Sequence, residues 1–427
     1  MGRFFPLRAA VYCAVALLPL SALGGCVGSS TALQQCYSSA RTQQYDRALA
    51  DLEASSLAHS NRDRLLYLME KGQLLHFKGD YRASNEVLRE ADHLTEKLFT
   101  TSLSAEGASL LTNDTVVPYA GTDYESVFIN YYEALNYLAL GEPDEARVEC
   151  RKIDEKLDYF TDSYHGKNAF RRSAFLRFLT GLIYEAEGEW NDAFIDYRRS
   201  LEAYRDDFAK YGVPVPDSLW GRLLLCARRS GLGKESRELA AEAAKAGVTP
   251  DLSPAVIAVF VEDGQLPPKK EAFAVIPTGH GLTKVAFPVL AERGDLALPV
   301  TVRLDNGPWL PAEEAENVTA IARRSLDDAR LRMIAKETVR VVAKQMVARR
   351  TEQEYGPLAG LAAQVVALLT ERADLRGWST LPNRILLTIL PAAPGTHAVV
   401  IRSGTFEQRE TVRLEPGGVG FVMGRVL

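Results

Sequence analysis

Histidine and cysteine, on which most metal sites and thiol chemistry depend, are scarce and scattered in this sequence. The six histidines, His59, His76, His93, His165, His280 and His397, have no metal-ligand spacing, and neither have the five cysteines. No nucleophile elbow and no paired-histidine metalloprotease motif is present. The glycines of "TGHGL" near Gly279 and "PGGVGFVMG" near Gly417 lack the strand-loop-helix setting that phosphate binding needs, so they read as turns. The expectation is therefore no metal, no cofactor and no catalytic set; a site assembled from residues far apart in sequence is the way an enzyme would remain. An excess of positive charge is also missing: 50 Lys and Arg stand against 55 Asp and Glu, a net charge of −5, which argues against nucleic acid as a partner. Long apolar runs are missing too. "GPLAGLAAQVVALL", Gly356 to Leu369, falls about one third short of the roughly 20 residues a spanning helix requires.

The N-terminus has its own apolar run, Ala9 to about Leu20, behind Arg3 and Arg8 and interrupted by Pro19. A basic leader, a short apolar centre and small residues before a cut are the marks of a secretory signal. The quartet Leu23-Gly24-Gly25-Cys26 resembles the bacterial lipobox, which implies cleavage between Gly25 and Cys26 and diacylglycerol and palmitate chains on Cys26. Residues 1–25 are then the signal and 26–32 a lipidated tether. Val27 lacks the aspartate commonly used for inner-membrane retention, so the outer membrane, facing the periplasm, is the expected location. Cys36, Cys150 and Cys226 remain as an odd set in an oxidising compartment, either small buried helix residues or a Cys150–Cys226 disulfide with one thiol left over.

At 427 residues the chain is long enough for two or three domains. Its first part repeats a turn: "GDYRAS" at Gly79, "GEPDEA" at Gly141, "GEWNDA" at Gly188, "GLGKES" at Gly231 and, more weakly, "QQYDRA" at Gln43. Each follows one apolar helical stretch and opens another. Ala174 to Asp207 resembles the tetratricopeptide repeat (TPR), with Gly181, Tyr184, Ala193 and Tyr197 at its small and aromatic positions; it departs from the pattern at Arg177 and in the missing late proline. Gly181 and Ala193 would let paired helices approach closely while Tyr184 and Tyr197 fill the space between pairs. A TPR-like α-helical solenoid over 33–247 is expected.

The small residues after the turns, Ala48, Ser84, Ala146, Ala193 and Ser236, stand 36, 62, 47 and 43 residues apart. The widest gap holds a polar insertion at about 100–127, with Asn113, Asp114, Tyr119, Asp123 and Glu125 as candidate partner-binding residues. It reads either as a structural loop over the superhelix groove or as a ligand or partner contact.

After Gly247 a proline cluster, Pro250, Pro254, Pro267 and Pro268, suggests a linker over 248–270. A mixed α+β domain over 271–427 follows, with strands in "AFAVIP", "KVAFPVL" and "LPVTVRLDNGPWL", turned at Asp305-Asn306-Gly307, and in four further segments from "RILLTILP" to the end. These form a sheet or small sandwich. A helical hairpin is expected as an insertion over 313–371. Its first helix runs from Glu313 to Arg350, with Leu331, Ala335, Val339, Val342 and Met346 on one face and acidic Glu313, Glu314 and Glu316 opening it. Arg332, Lys336, Arg340 and Lys344 form a basic stripe, either a solvated face or a contact for anionic lipid or cell wall. Asp374, Arg376 and Trp378 stand together before the last strands, either as a recognition patch or, for Trp378, as a core cover.

The order of parts resembles the bacterial tetratricopeptide-repeat lipoproteins. The lipobox, "NDTVVPYAGTDYESVFINYYEALNYLALGEPDEARVE" and "LLTERADLRGWSTLPNRILLTILPAAPGTHAVVI" carry the resemblance. It implies an envelope lipoprotein accompanying other lipoproteins, including activators of cell-wall synthesis enzymes, without an established activity. Three functions fit: a non-enzymatic protein-binding adaptor, a peptidoglycan- or glycan-binding protein or enzyme, and a structural subunit of an envelope export complex. Cys26→Ser should abolish incorporation of labelled palmitate and leave the precursor uncleaved; persisting label on the variant would refute the lipobox.

Overall fold

The computed structural model describes residues 26–104, 117–164, 170–278, 281–292, 298–358 and 372–427. The protein is mostly helical (54%), with a C-terminal region of mixed sheets. Among the described residues no helix is long and apolar enough to cross a membrane.

Ten helices come first: α1 (Cys26–Arg41), α2 (Tyr45–Glu53), α3 (Arg64–Lys78), α4 (Tyr81–Ser104), α5 (Asp123–Leu140), α6 (Pro143–Ser163), α7 (Ala174–Ala186), α8 (Trp190–Tyr211), α9 (Asp217–Arg229) and α10 (Gly233–Lys245). They pack as consecutive pairs, and every repeated turn of the sequence lies between the two members of a pair. Gln43, Gly79, Gly141, Gly188 and Gly231 all have positive φ. At each, two backbone N–H groups reach back to the last turn, as from Gly79 to the His76 carbonyl (2.9 Å) and from Asp80 to the Leu75 carbonyl (3.0 Å). Such left-handed caps satisfy the carbonyls that a helix end leaves open.

Close approach within a pair depends on glycine where the sequence placed it. A Cβ on Gly181 would lie 2.4 Å from the Tyr197 ring, and one on Gly72 the same distance from Leu88. Cys36, Cys150 and Cys226 are free and buried, which removes the disulfide alternative. Burial pushes all three thiols up, that of Cys150 to about 12, so they pack as small apolar groups.

The strands form two four-stranded sheets and a hairpin. The first sheet has the order β10-β1-β7-β6, built from β10 (Val419–Val426), β1 (Val256–Asp263), β7 (Arg384–Pro391) and β6 (Glu313–Glu316). The second has the order β5-β4-β8-β9, from β5 (Trp309–Pro311), β4 (Val300–Leu304), β8 (Gly395–Ser403) and β9 (Phe406–Leu414). β2 (Lys269–Thr278) and β3 (Gly281–Leu290) pair in the hairpin. β1 is buried along its whole length. Ala258 and Phe260 join the core of the helical part, whereas Ile257, Val259 and Val261 pack with Val302, Val399 and Ile401 of the second sheet. The first sheet is thus a middle layer between helices and a second sheet.

Four expectations need correction. The seam 248–270 is not simply a linker: it contains β1, whose apolar run has no alternation because both faces are covered. Glu313, Glu314 and Glu316 do not open a helix; they belong to β6, which pairs with β7. Asn317 instead caps the following helix, α11 (Val318–Tyr355), its Oδ1 accepting from Ala320 N at 2.8 Å. The insertion at 100–127 is narrower than expected, since α4 runs on to Ser104 and α5 starts at Asp123. The apolar stripe of α11 is not wholly covered, for Val339 and Met346 are about half exposed. The second helix of the expected hairpin falls largely on 359–371 and the basic stripe on undescribed side chains, so both lie outside the described residues.

Gly181→Leu should lower stability by about 1–3 kcal/mol through overpacking against Tyr197. Urea denaturation followed by circular dichroism measures it, with Gly233→Ala, where the new Cβ would meet Arg237 Nη1 at 4.0 Å, as the control expected to change little.

Candidate functional site

Two stretches that the sequence suggested separately meet in space. Glu125, in the first turn of α5, completes a capping box with Thr122 by accepting from its backbone N–H through Oε2 at 2.7 Å. The same oxygen accepts the Tyr119 hydroxyl at 2.6 Å, and Oε1 accepts the Trp378 backbone N–H at 2.8 Å. Arg376 donates to Asp374 through Nη2 (2.6 Å) and to Asp63 through Nη1 (2.8 Å), while its guanidinium lies over the Tyr119 ring. Tyr119, Glu125, Asp374, Arg376 and Trp378 are therefore one constellation. Asp123 bonds elsewhere, accepting from the Tyr164 hydroxyl at 3.2 Å. Asn113, Asp114 and Gly25 lie outside the described residues; Cys26 opens α1, its side chain undescribed.

The constellation continues along α3. Glu70 accepts the Ser379 N–H at 3.0 Å and the Tyr37 hydroxyl at 3.0 Å, and meets the Thr380 hydroxyl through its other oxygen. The Gln73 amide donates to the Thr380 carbonyl at 3.0 Å, an oxygen shared with Arg425 Nη2 at 2.7 Å. Trp378 and Glu125 are fully buried. The helical part thus holds a turn of the chain, Trp378 to Thr380, largely by its backbone groups. Such an arrangement seals and orients the segment.

The same pattern recurs farther along. Ser173, the N-cap of α7, donates to Glu316 of β6 at 2.6 Å, and Tyr204 donates to the Ala315 carbonyl at 2.8 Å. Arg222 on α9 holds the Ser253 carbonyl at 2.7 Å, and Gly221 lets that segment lie against the helix, since a Cβ there would meet the Asp251 carbonyl at 2.2 Å. Tyr132 on α5 donates to Glu262 of β1 at 3.0 Å. Sequence reasoning missed Glu70, Gln73, Glu262 and Glu316. Acidic and amide residues on the covered side of a helix or in an apolar strand were the available signal.

Burial pushes the carboxyls of Glu70, Glu262 and Glu316 up to about 7 each, against hydrogen bonds that pull the other way. Burial also holds His76, bonded through Nδ1 to Asn136 Oδ1 at 2.6 Å, down to about 4, so its ring is neutral. Among the described residues no group of His, Cys, Asp and Glu could hold a metal ion. No protein-family model matches the chain, and no curated protein matches it.

A carboxyl raised in the folded state keeps its proton above the ordinary carboxyl range while the unfolded chain loses it. The stability it contributes is present below about 4.5 and is lost as pH rises through about 7. His76 works in the opposite sense, between its ordinary 6.5 and about 4. Glu316→Gln keeps an acceptor for Ser173 and removes the titration, so the difference in melting temperature between variant and wild type should shift in favour of the variant from pH 5 to pH 8. A constant difference would refute this account of Glu316.

Proposed function

We propose that the protein is a lipid-anchored envelope scaffold, a TPR-like array that is not an enzyme and that carries its C-terminal region as the contact surface for another envelope protein. The observation that carries this reading is the distribution of exposed apolar side chains. The helix pairs are engaged by the chain's own C-terminal region, strand and connecting segments alike, as the bonds from Glu70, Glu125, Ser173 and Arg222 illustrate. The engaged face therefore has little to offer a second polypeptide. Phe273 and Val275 on β2, Val339 and Met346 on α11, and Tyr355 and Leu358 at its end are all more than half exposed.

These residues lie on the hairpin and on the helix that packs against β3. α11 has 38 residues, a length of about 57 Å. Its start is anchored in the core by Val318, Ile321, Ala322 and Leu326, and the exposed positions come later. Large apolar residues left exposed on a rigid element suit a protein interface. Acylation at Cys26 would hold this surface at the membrane, two acyl chains giving the stable attachment that one does not.

Photo-crosslinking in intact envelopes tests the reading. A benzophenone amino acid at Met346 or Leu358 should give a discrete adduct of the same added mass, whereas one at Phe208, equally exposed on α8, should not. Equal labelling at all three positions, or none at Met346 and Leu358, would count against the surface.

A further inference from the structure

Where α3 and α5 face the edge of the sandwich, a half-open cleft of about 500 Å³ lies between the helix-pair turns and strands β9 and β10. It shares no residue with the proposed partner surface. Glu262 from β1, Arg425 from β10 and Tyr131 from α5 line it, and each is more than nine-tenths buried. Their hydrogen bonding is incomplete. Arg425 spends Nη2 on the Thr380 carbonyl, but Nε and Nη1 have no hydrogen-bond partner, and Nη1 stands 3.7 Å from Glu262 Oε2. Glu262 uses Oε2 on Tyr132 and leaves Oε1 without a partner. The Tyr131 hydroxyl lies against the same Glu262 carboxyl.

Buried polar groups are nearly always satisfied, and leaving one unpaired costs on the order of 1–3 kcal/mol. Several such atoms around one cleft call for partners supplied from within it. The protein also guards the neighbouring strand edge: the Gln408 side chain accepts from Arg425 N at 3.1 Å and donates to the Met423 carbonyl at 3.4 Å. The open part of the cleft is thus not an invitation to a further strand.

Two features define the occupant. The charged lining residues balance, Lys78 and Arg425 against Glu262 and Glu410, so the cleft selects neither an anion nor a cation. Flat apolar faces line its approach: Tyr45, Tyr81 and Phe421 are half-buried, while the Phe77 ring, 6.0 Å from that of Tyr45, carries the Arg425 guanidinium 3.7 Å above its centre. A pyranose ring has the complementary chemistry, a C–H face for an aromatic ring and hydroxyls at its edge that donate and accept at once. The volume falls within the ordinary range for small-molecule sites.

We propose that this cleft binds an uncharged saccharide, its hydroxyls meeting Glu262, Arg425 and Tyr131 and its ring lying against Tyr45 or Tyr81. Isothermal titration of the full mature chain with triacetylchitotriose, maltotriose and cellotriose tests it. At least one should bind, and Tyr45→Ala and Tyr81→Ala should each weaken that binding at least tenfold. Thr411→Trp, an exposed substitution on the cleft lining, should block it without changing the melting temperature. Phe208→Ala, outside the cleft, should leave it unchanged. Absence of heat with all three sugars, or binding that Thr411→Trp leaves intact, would overturn the proposal; so would binding only of a short peptide offered at the same concentrations.

Discussion

Strand β1 has neither face nor edge left for water, and the rest of the architecture follows from covering it. One edge pairs in parallel with β10 and the other antiparallel with β7. One face meets the helical part, as in the contact of Phe260 with Phe175 at 5.9 Å, and the other meets the second sheet. Parallel pairing between the first and last strands of the C-terminal region requires everything between them to be placed elsewhere. The second sheet, the hairpin and α11 occupy that interval of the sequence. A single buried strand thereby makes the helices and sheets depend on one another.

That dependence carries an electrostatic cost. Taking Glu70, Glu125, Glu262 and Glu316 out of water is unfavourable unless each oxygen finds donors. Most do, and the donors are backbone N–H groups and hydroxyls, several of them from the other region of the chain. The buried acids thus act as positioning groups: a shift of the turn at Trp378–Thr380 would take a backbone donor from Glu125 and another from Glu70 together. Apolar packing alone would tolerate such a slip more easily. The incomplete pairing of Glu262 and Arg425 stands out against this background, which is why the cleft beside them bears on function.

With the chain's own C-terminal region on the helix pairs, two surfaces stand out among the described residues. The hairpin and the later part of α11 present apolar side chains, and the cleft beside β10 presents aromatic rings over polar groups. Their chemistries differ enough to suit different kinds of ligand. The proposed adaptor would then have its specificity away from the helix pairs.

Local structure was legible in the sequence wherever it rests on neighbours along the chain. Helix period, the turns ending at Gly79, Gly141, Gly188 and Gly231, the close approach at Gly181 and the alternation of the later strands all depend on residues a few positions apart. The candidate residues around Tyr119 and Trp378 were legible as unusual, but their meeting was not, since Glu125 and Trp378 are 253 residues apart. Tertiary structure decided that the proline-flanked run after Pro254 would become the central strand and that Glu313 to Glu316 would be a strand before a helix. It also decided that Trp378 would be buried with its backbone N–H on Glu125. The physical reason is common to these cases: an element buried on both faces has no periodic signal of its own, and a buried carboxyl is tolerable only through donors that folding brings from far along the chain.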